Sequence, residues 1–151
     1  MKKGRGRTLK VMTAVFQPKS GPAGIGVLAP DVEVSQMGSL YEEASGLSSE
    51  ELSFFGVQRA LELARSLESM RVIVLLADEK AVRLINRETP ILPGSLLALY
   101  YIKIRALMYT FKSAQIVAVP RGRVRPAIKL AAAHGRISER RTAIQKTLFN
   151  G

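Results

Sequence analysis

The sequence predicts an α/β domain on a mixed five-stranded sheet, a three-strand antiparallel meander extended by two parallel strands, with helices on both faces. Three observations carry that prediction. Val72 to Leu76 form an unbroken aliphatic run, which suits a strand covered on both sides. The strand-like segments before residue 38 follow one another through turns too short to hold a helix. The later strand segments are separated by helical stretches, which act as crossovers and make those strands parallel to each other and to the first.

Taken in order, Met1 to Arg7 is a glycine-interrupted basic arm that reads equally as a solvated tail or a phosphate-binding extension. Leu9–Phe16 reads as the first strand, Gln17–Gly21 as a turn, Ile25–Ala29 as the second strand and Val32–Met37 as the third. Gly38–Ser49 is polar and loop-like. Ser48 or Ser49 then caps a helix that runs to Leu67, with Glu50 and Glu51 in its first turn and Leu52, Phe55, Ala60, Leu63, Ala64 and Leu67 at helical spacing. The 72–77 strand leads into a short helix over Glu79–Arg87, and the prolines of Thr89–Gly94 break the chain. Ser95–Phe111 reads as a long helix, Ile116–Val119 as a short strand and Pro120–Pro126 as an arginine-laden loop. Ala127–Ala133 reads as an alanine-rich helix, and Ser138 caps a last helix over Glu139–Leu148. The expected organisation is a basic arm over 1–8, one domain over 9–134 and a basic C-terminal helix or tail over 135–151.

Charge is the unusual feature of the composition. The 151 residues carry 23 Lys+Arg against 12 Asp+Glu, a formal net charge of +11. Such an excess favours a polyanionic partner, nucleic acid before membrane, because each contacted phosphate releases counterions. The absence of cysteine excludes thiol chemistry, disulfides and cysteine–metal sites. No apolar segment is long and charge-free enough to span a bilayer. No apolar core follows MKKGRGR directly, so the cytoplasm is the expected compartment. His134 is the only histidine, so a catalytic arrangement needing a second imidazole cannot be assembled.

Asp78 sits just beyond the 72–77 strand, where α/β folds place ligand sites; the same position suits a helix cap. Phe54 and Phe55 read mostly as core, and Tyr100, Tyr101 and Tyr109 as core or boundary residues of the long helix. GPAGIG lies in a hairpin rather than between a strand and a helix, so it is a poor nucleotide loop.

Four local strings resemble ribonuclease H type 1 proteins in the order and spacing of that family: GPAGIGVL at 21–28, SFFGVQRALELARSL at 53–67, VIVLLADEKAVRLIN at 72–86 and VAVPRGRVRPAIKLAAA at 117–133. The resemblance spans roughly residues 9–134 and implies the ribonuclease H fold. It also implies a cluster of four carboxylates holding two divalent metals for hydrolysis of the RNA strand of a hybrid. Carried over position by position, those carboxylates fall at Thr13, Ser53, Asp78 and Ile128, so only Asp78 is an acid. Glu50, one turn before Ser53, offers a shifted ligand. The last position has no substitute, because no Asp or Glu occurs between Glu88 and Glu139.

The expectation is a ribonuclease H fold without its metal site and without a cofactor, Mg²⁺ entering only if a rearranged nuclease site exists. Arg121, Arg123 and Arg125, which alternation puts on one side if their loop is extended, would grip phosphate directly together with Lys129 and Lys19. Arg140 and Arg141 make the last helix basic, and Ile144 and Leu148 give it a narrow apolar side. Three functions follow for test: a non-catalytic module that binds RNA or RNA–DNA hybrid, possible in a ribonucleoprotein; a rearranged metal-dependent nuclease on Asp78 and Glu50; and a protein-interaction or oligomerisation module using the 95–111 helix or the C-terminal helix.

Overall fold

In a computed structural model of the chain, residues 7–32 and 38–133 are described; the basic arm over 1–6, His134, Arg140, Arg141 and the expected C-terminal helix lie outside them. The sheet is built from β1 (Thr8–Phe16), β2 (Ala23–Leu28), β3 (Ser39–Ala44), β4 (Arg71–Leu76) and β5 (Ser113–Ala118), in the spatial order β3-β2-β1-β4-β5. β1, β2 and β3 pair antiparallel, while β4 pairs parallel with both β1 and β5. That is the meander-plus-two-parallel-strands arrangement expected from the sequence.

The third strand is not where its sequence pattern placed it. Val32–Met37 was the expected segment, yet β2 pairs with Ser39–Ala44. Val32 lies in a bend, and 33–37 lie outside the described residues. The Ala29 amide donates to the Gly38 carbonyl at 2.6 Å, so the connection closes at Gly38 and pairing starts after it. Ser39–Ala44 reads SLYEEA, too polar for an interior strand, but it is a sheet edge, where charged side chains are tolerated and block further pairing. Glu42 is held there by Arg59 (Nε to Oε1, 2.9 Å), which also binds Glu62 at 2.7 Å. Burial alone would lower the Arg59 pKa; the two carboxylates outweigh it and raise it.

α1 (Ser49–Ser66) starts at a complete capping box: the Glu51 amide donates to Ser48 Oγ at 3.1 Å and the Ser48 amide to Glu51 Oε1 at 2.7 Å. It packs against β1, β2 and β4 and against α3 (Leu96–Met108), with α2 (Glu79–Ile85) beside β5. The main core lies here, with Phe54, Ile25, Leu52, Leu61, Ile85 and Ile104 fully buried. The other face carries a smaller core of Met12, Leu75, Val124 and Ala127. It is closed by α4, the helix over 125–133, which Arg121–Val124 introduces as a 3₁₀ turn.

β2 and α4 explain each other's composition. A Cβ at Gly26 would lie 2.5 Å from the Ala127 carbonyl oxygen and 2.9 Å from the Ala131 amide nitrogen. The glycine-rich strand and the alanine-rich helix are thus one close-packing device. The same logic applies on the opposite face, where a Cβ at Gly56 of α1 would lie 2.5 Å from Thr13 Oγ1 of β1. These two approaches fix the helices that frame the site.

Candidate functional site

β1 and β4 run parallel, so their C-terminal ends emerge side by side at the same edge of the sheet. There they meet the first turn of α1, the 3₁₀ turn and the start of α4. Together these elements enclose a cavity of about 300 Å³ lined by Thr13, Gln17, Ser49, Ser53, Asp78, Arg121, Val124 and Ile128, among others. Four positions counted out along separate strings of the sequence, Thr13, Ser53, Asp78 and Ile128, therefore share one cavity wall.

Asp78 is the acid among those four, and its oxygens are already engaged. Ser53 Oγ donates to Asp78 Oδ2 at 2.7 Å, and the Ala81 amide donates to Asp78 Oδ1 at 3.1 Å. The carboxylate is the N-cap of α2 and also ties α2 to α1. The cap and ligand-site readings of this residue thus hold together: one side chain does the capping and faces the cavity. Thr13 is buried, 2% exposed, and its Oγ1 makes no hydrogen bond. Ile128 adds an apolar wall.

Glu50 is drawn out of the arrangement. It does not line the cavity, and its Oε1 pairs with Lys80 Nζ at 2.7 Å. That hydrogen bond, then the charge of Glu50, raises the Lys80 pKa above its ordinary value.

A hard divalent cation needs about six oxygen ligands and concentrated negative charge. The cavity supplies one carboxylate, three hydroxyls, an amide side chain and an arginine. Among the described residues no group of three or more His, Asp or Glu is placed to hold a metal. The described residues of the cavity do not fit a two-metal centre.

The cationic residues are arranged differently from the expectation. Arg121, Arg123 and Arg125 were expected on one side of an extended loop. Instead residues 121–124 form a 3₁₀ turn and Arg125 opens α4, with an αR backbone (φ −51°, ψ −42°). Three residues per turn separate alternate side chains by about 240° rather than aligning them. Val124 is the inward residue of the turn and is fully buried, which pins the turn to the small core. Arg121 lines the cavity, whereas Arg123 and Arg125 are exposed and not part of its wall. Lys129 is exposed one turn into α4, and Lys19 is exposed in the β1–β2 connection.

Sequence reasoning missed Gln17, Ser49 and Val124 as wall residues, the Ser53–Asp78 bond and the Glu50–Lys80 pair. Each joins segments far apart in the chain or depends on the 3₁₀ turn, and no local pattern encodes it. No helix among the described residues is long and apolar enough to cross a membrane.

The fold has close structural relatives. RNase H1 from the halophilic archaeon Halobacterium salinarum superposes with a TM-score of 0.71 at 16% identity, over 83% of this chain and 96% of that one. The N-terminal RNase H domain of a Mycobacterium tuberculosis protein gives 0.70 at 20% identity, covering 89% and 99%. LC11-RNase H1, from a compost metagenome and solved in complex with an RNA/DNA hybrid, gives 0.70 at 20% identity, covering 83% and 95%. No curated protein matches the chain. A family model described as reverse transcriptase-like matches residues 12–134, from the middle of β1 to the end of α4. The protein belongs to this reverse transcriptase-like family and has the ribonuclease H fold.

Proposed function

We propose that the protein is a non-catalytic ribonuclease H-fold module that binds RNA or RNA–DNA hybrid through the phosphate backbone. The observation that carries the reading is the cavity wall, where Thr13, Ser53 and Ile128 stand with Asp78 at the four family positions and Arg121 faces the same space. Replacing three acids by neutral side chains removes the repulsion a bare phosphate would meet, and an arginine supplies the positive charge that metals would otherwise bring. The net charge of +11 supports a polyanionic ligand. A relative of the same fold, LC11-RNase H1, is known in complex with an RNA/DNA hybrid. The exposed cations Lys19, Arg123, Arg125 and Lys129, with Arg140 and Arg141 of the C-terminal segment, extend the proposed contact beyond the cavity. A cytoplasmic ribonucleoprotein is a setting compatible with this reading.

A nuclease rearranged onto Asp78 and Glu50 is disfavoured, because Asp78 already accepts two hydrogen bonds and Glu50 is paired with Lys80. The test is a paired assay on labelled RNA–DNA hybrid, duplex RNA and duplex DNA, each with Mg²⁺, Mn²⁺ or EDTA, reading binding and cleavage together. The expected result is binding that survives EDTA, with every strand intact. Metal-dependent cleavage abolished by Asp78→Asn would overturn the proposal, as would failure to bind any of the three at moderate salt.

A further inference from the structure

α3 covers α1 with one face and leaves the other bare. Ile104 is its buried anchor, whereas Leu96, Leu99 and Ile102 are 44%, 57% and 61% exposed, with Leu92 just before the helix at 76% and Tyr109 at its C-cap at 75%. Five of the seven exposed large hydrophobic residues among the described ones belong to this single ridge. An isolated exposed leucine needs no explanation, but a contiguous ridge does. The exposed area of these side chains amounts to several hundred Å². That reaches the ~300–600 Å² of the largest apolar patch on an ordinary monomer and approaches the ~800 Å² per partner of a stable interface.

We infer that this face is a homodimer interface, in which α3 packs antiparallel against α3 of a second copy of the chain. Two features select a second copy as the occupant. The exposed positions 96, 99 and 102 and then 103, 106 and 109 are spaced symmetrically about the middle of the helix. A two-fold axis through Ile102 and Lys103 therefore sets Leu99 over the small Ala106 of the other copy, brings Leu96 beside its Tyr109, and lays Ile102 on the aliphatic stem of its Lys103. The area is the second feature: one helix ridge with Leu92 and Tyr109 at its ends supplies about what a small symmetric dimer requires. Lys103 and Arg105 are the only charges on α3, so the ridge is lightly charged for a chain of net charge +11.

The charge sets a signature that separates this association from nucleic-acid binding. Repulsion between copies is screened by salt, so dimerisation strengthens as ionic strength rises, whereas phosphate binding weakens. The proposal does not rest on the nucleic-acid reading, and the two fail separately.

The experiment is sedimentation velocity of the full chain, freed of nucleic acid, across a concentration series at low and high NaCl. The companion is Leu99→Lys/Ile102→Lys, two substitutions at exposed positions that add like charge to the ridge and whose fold is checked by circular dichroism and thermal melting. The expected result is a monomer–dimer equilibrium favoured by salt, with the double variant at least about tenfold weaker in self-association. A wild-type chain that stays monomeric at every concentration and salt overturns the proposal. So does a dimer that persists in the double variant, or one that dissociates as salt is raised.

Discussion

Ser53 of α1 donates a 2.7 Å hydrogen bond to Asp78 at the head of α2, so a hydroxyl and a carboxylate meet on the wall of the cavity. A bond to a charged acceptor contributes about 1.5–3 kcal/mol, and leaving part of a half-buried carboxylate unpartnered costs on the same scale. We expect Ser53→Ala to destabilise the protein by about 1–2 kcal/mol in urea unfolding. Asp78→Asn, which keeps an amide oxygen to cap α2, should cost less than about 1 kcal/mol. It should leave hybrid binding unchanged or tighter, since it removes a negative charge facing the proposed phosphate.

Thr13 and Gly56 form a second contact with a sign of its own. The Thr13 hydroxyl is buried without a hydrogen-bond partner, which costs about 1–3 kcal/mol relative to a satisfied group. Thr13→Val, close in shape, should stabilise the fold by about 1 kcal/mol, read as a shift of the urea midpoint at constant slope. Gly56→Ala should destabilise by more than about 2 kcal/mol, because its methyl would lie 2.5 Å from Thr13 Oγ1 and neither β1 nor α1 can retreat without opening the core.

Restoring acids at the wall tests its geometry directly. Thr13→Asp/Ser53→Glu/Ile128→Asp should fold poorly without metal, since like charges would be buried beside Asp78. Mn²⁺ or Mg²⁺ should then raise its melting temperature by several degrees through linkage, while the wild-type melting temperature stays unmoved. A triple variant indifferent to both ions would show that the four positions are not held close enough to share a cation.

Salt dependence should resolve the arginines. If Arg121, Arg123 and Arg125 each neutralise one phosphate, replacing all three by Ala should reduce the slope of log K against log salt by about 3. Because the 3₁₀ turn fans these side chains apart, the single variants should differ. Arg121→Ala, which alone empties the cavity wall of positive charge, should be the most damaging.

The Glu50–Lys80 pair predicts an alkaline transition. The folded-state pKa of Lys80 is raised above its ordinary 10.5, so the contribution of the pair is fully present below about pH 10 and is lost as pH rises through the folded value. Differences in melting temperature between wild type and Lys80→Met should therefore be flat from pH 6 to 9. They should narrow only in strongly alkaline buffer.

The element order was legible wherever a residue pattern reports one-dimensional information. The Val72–Leu76 run marks an interior strand, and Ser48 with Glu51 marks a helix start. Asp78 was legible from its place at the end of a strand, whereas Thr13, Ser53 and Ile128 were reached only through the family resemblance of their local strings. The sequence by itself thus determined the fold class, the order of the crossovers and four residues of the cavity wall, but not the position of the third strand.

What the tertiary structure decided is everything that depends on which neighbour a face meets. SLYEEA is a strand because it lies at a sheet edge beside β2 and is pinned by Arg59, a circumstance its own polarity disguises. Arg121, Arg123 and Arg125 diverge because Val124 must bury, which coils the turn. Leu96, Leu99 and Ile102 belong to a helix that the sequence shows only as apolar; α1 covers the Ile104 side of α3, and the rest faces outward. Periodicity shows that a helix has an apolar side; only packing shows how much of that side finds a partner within the chain.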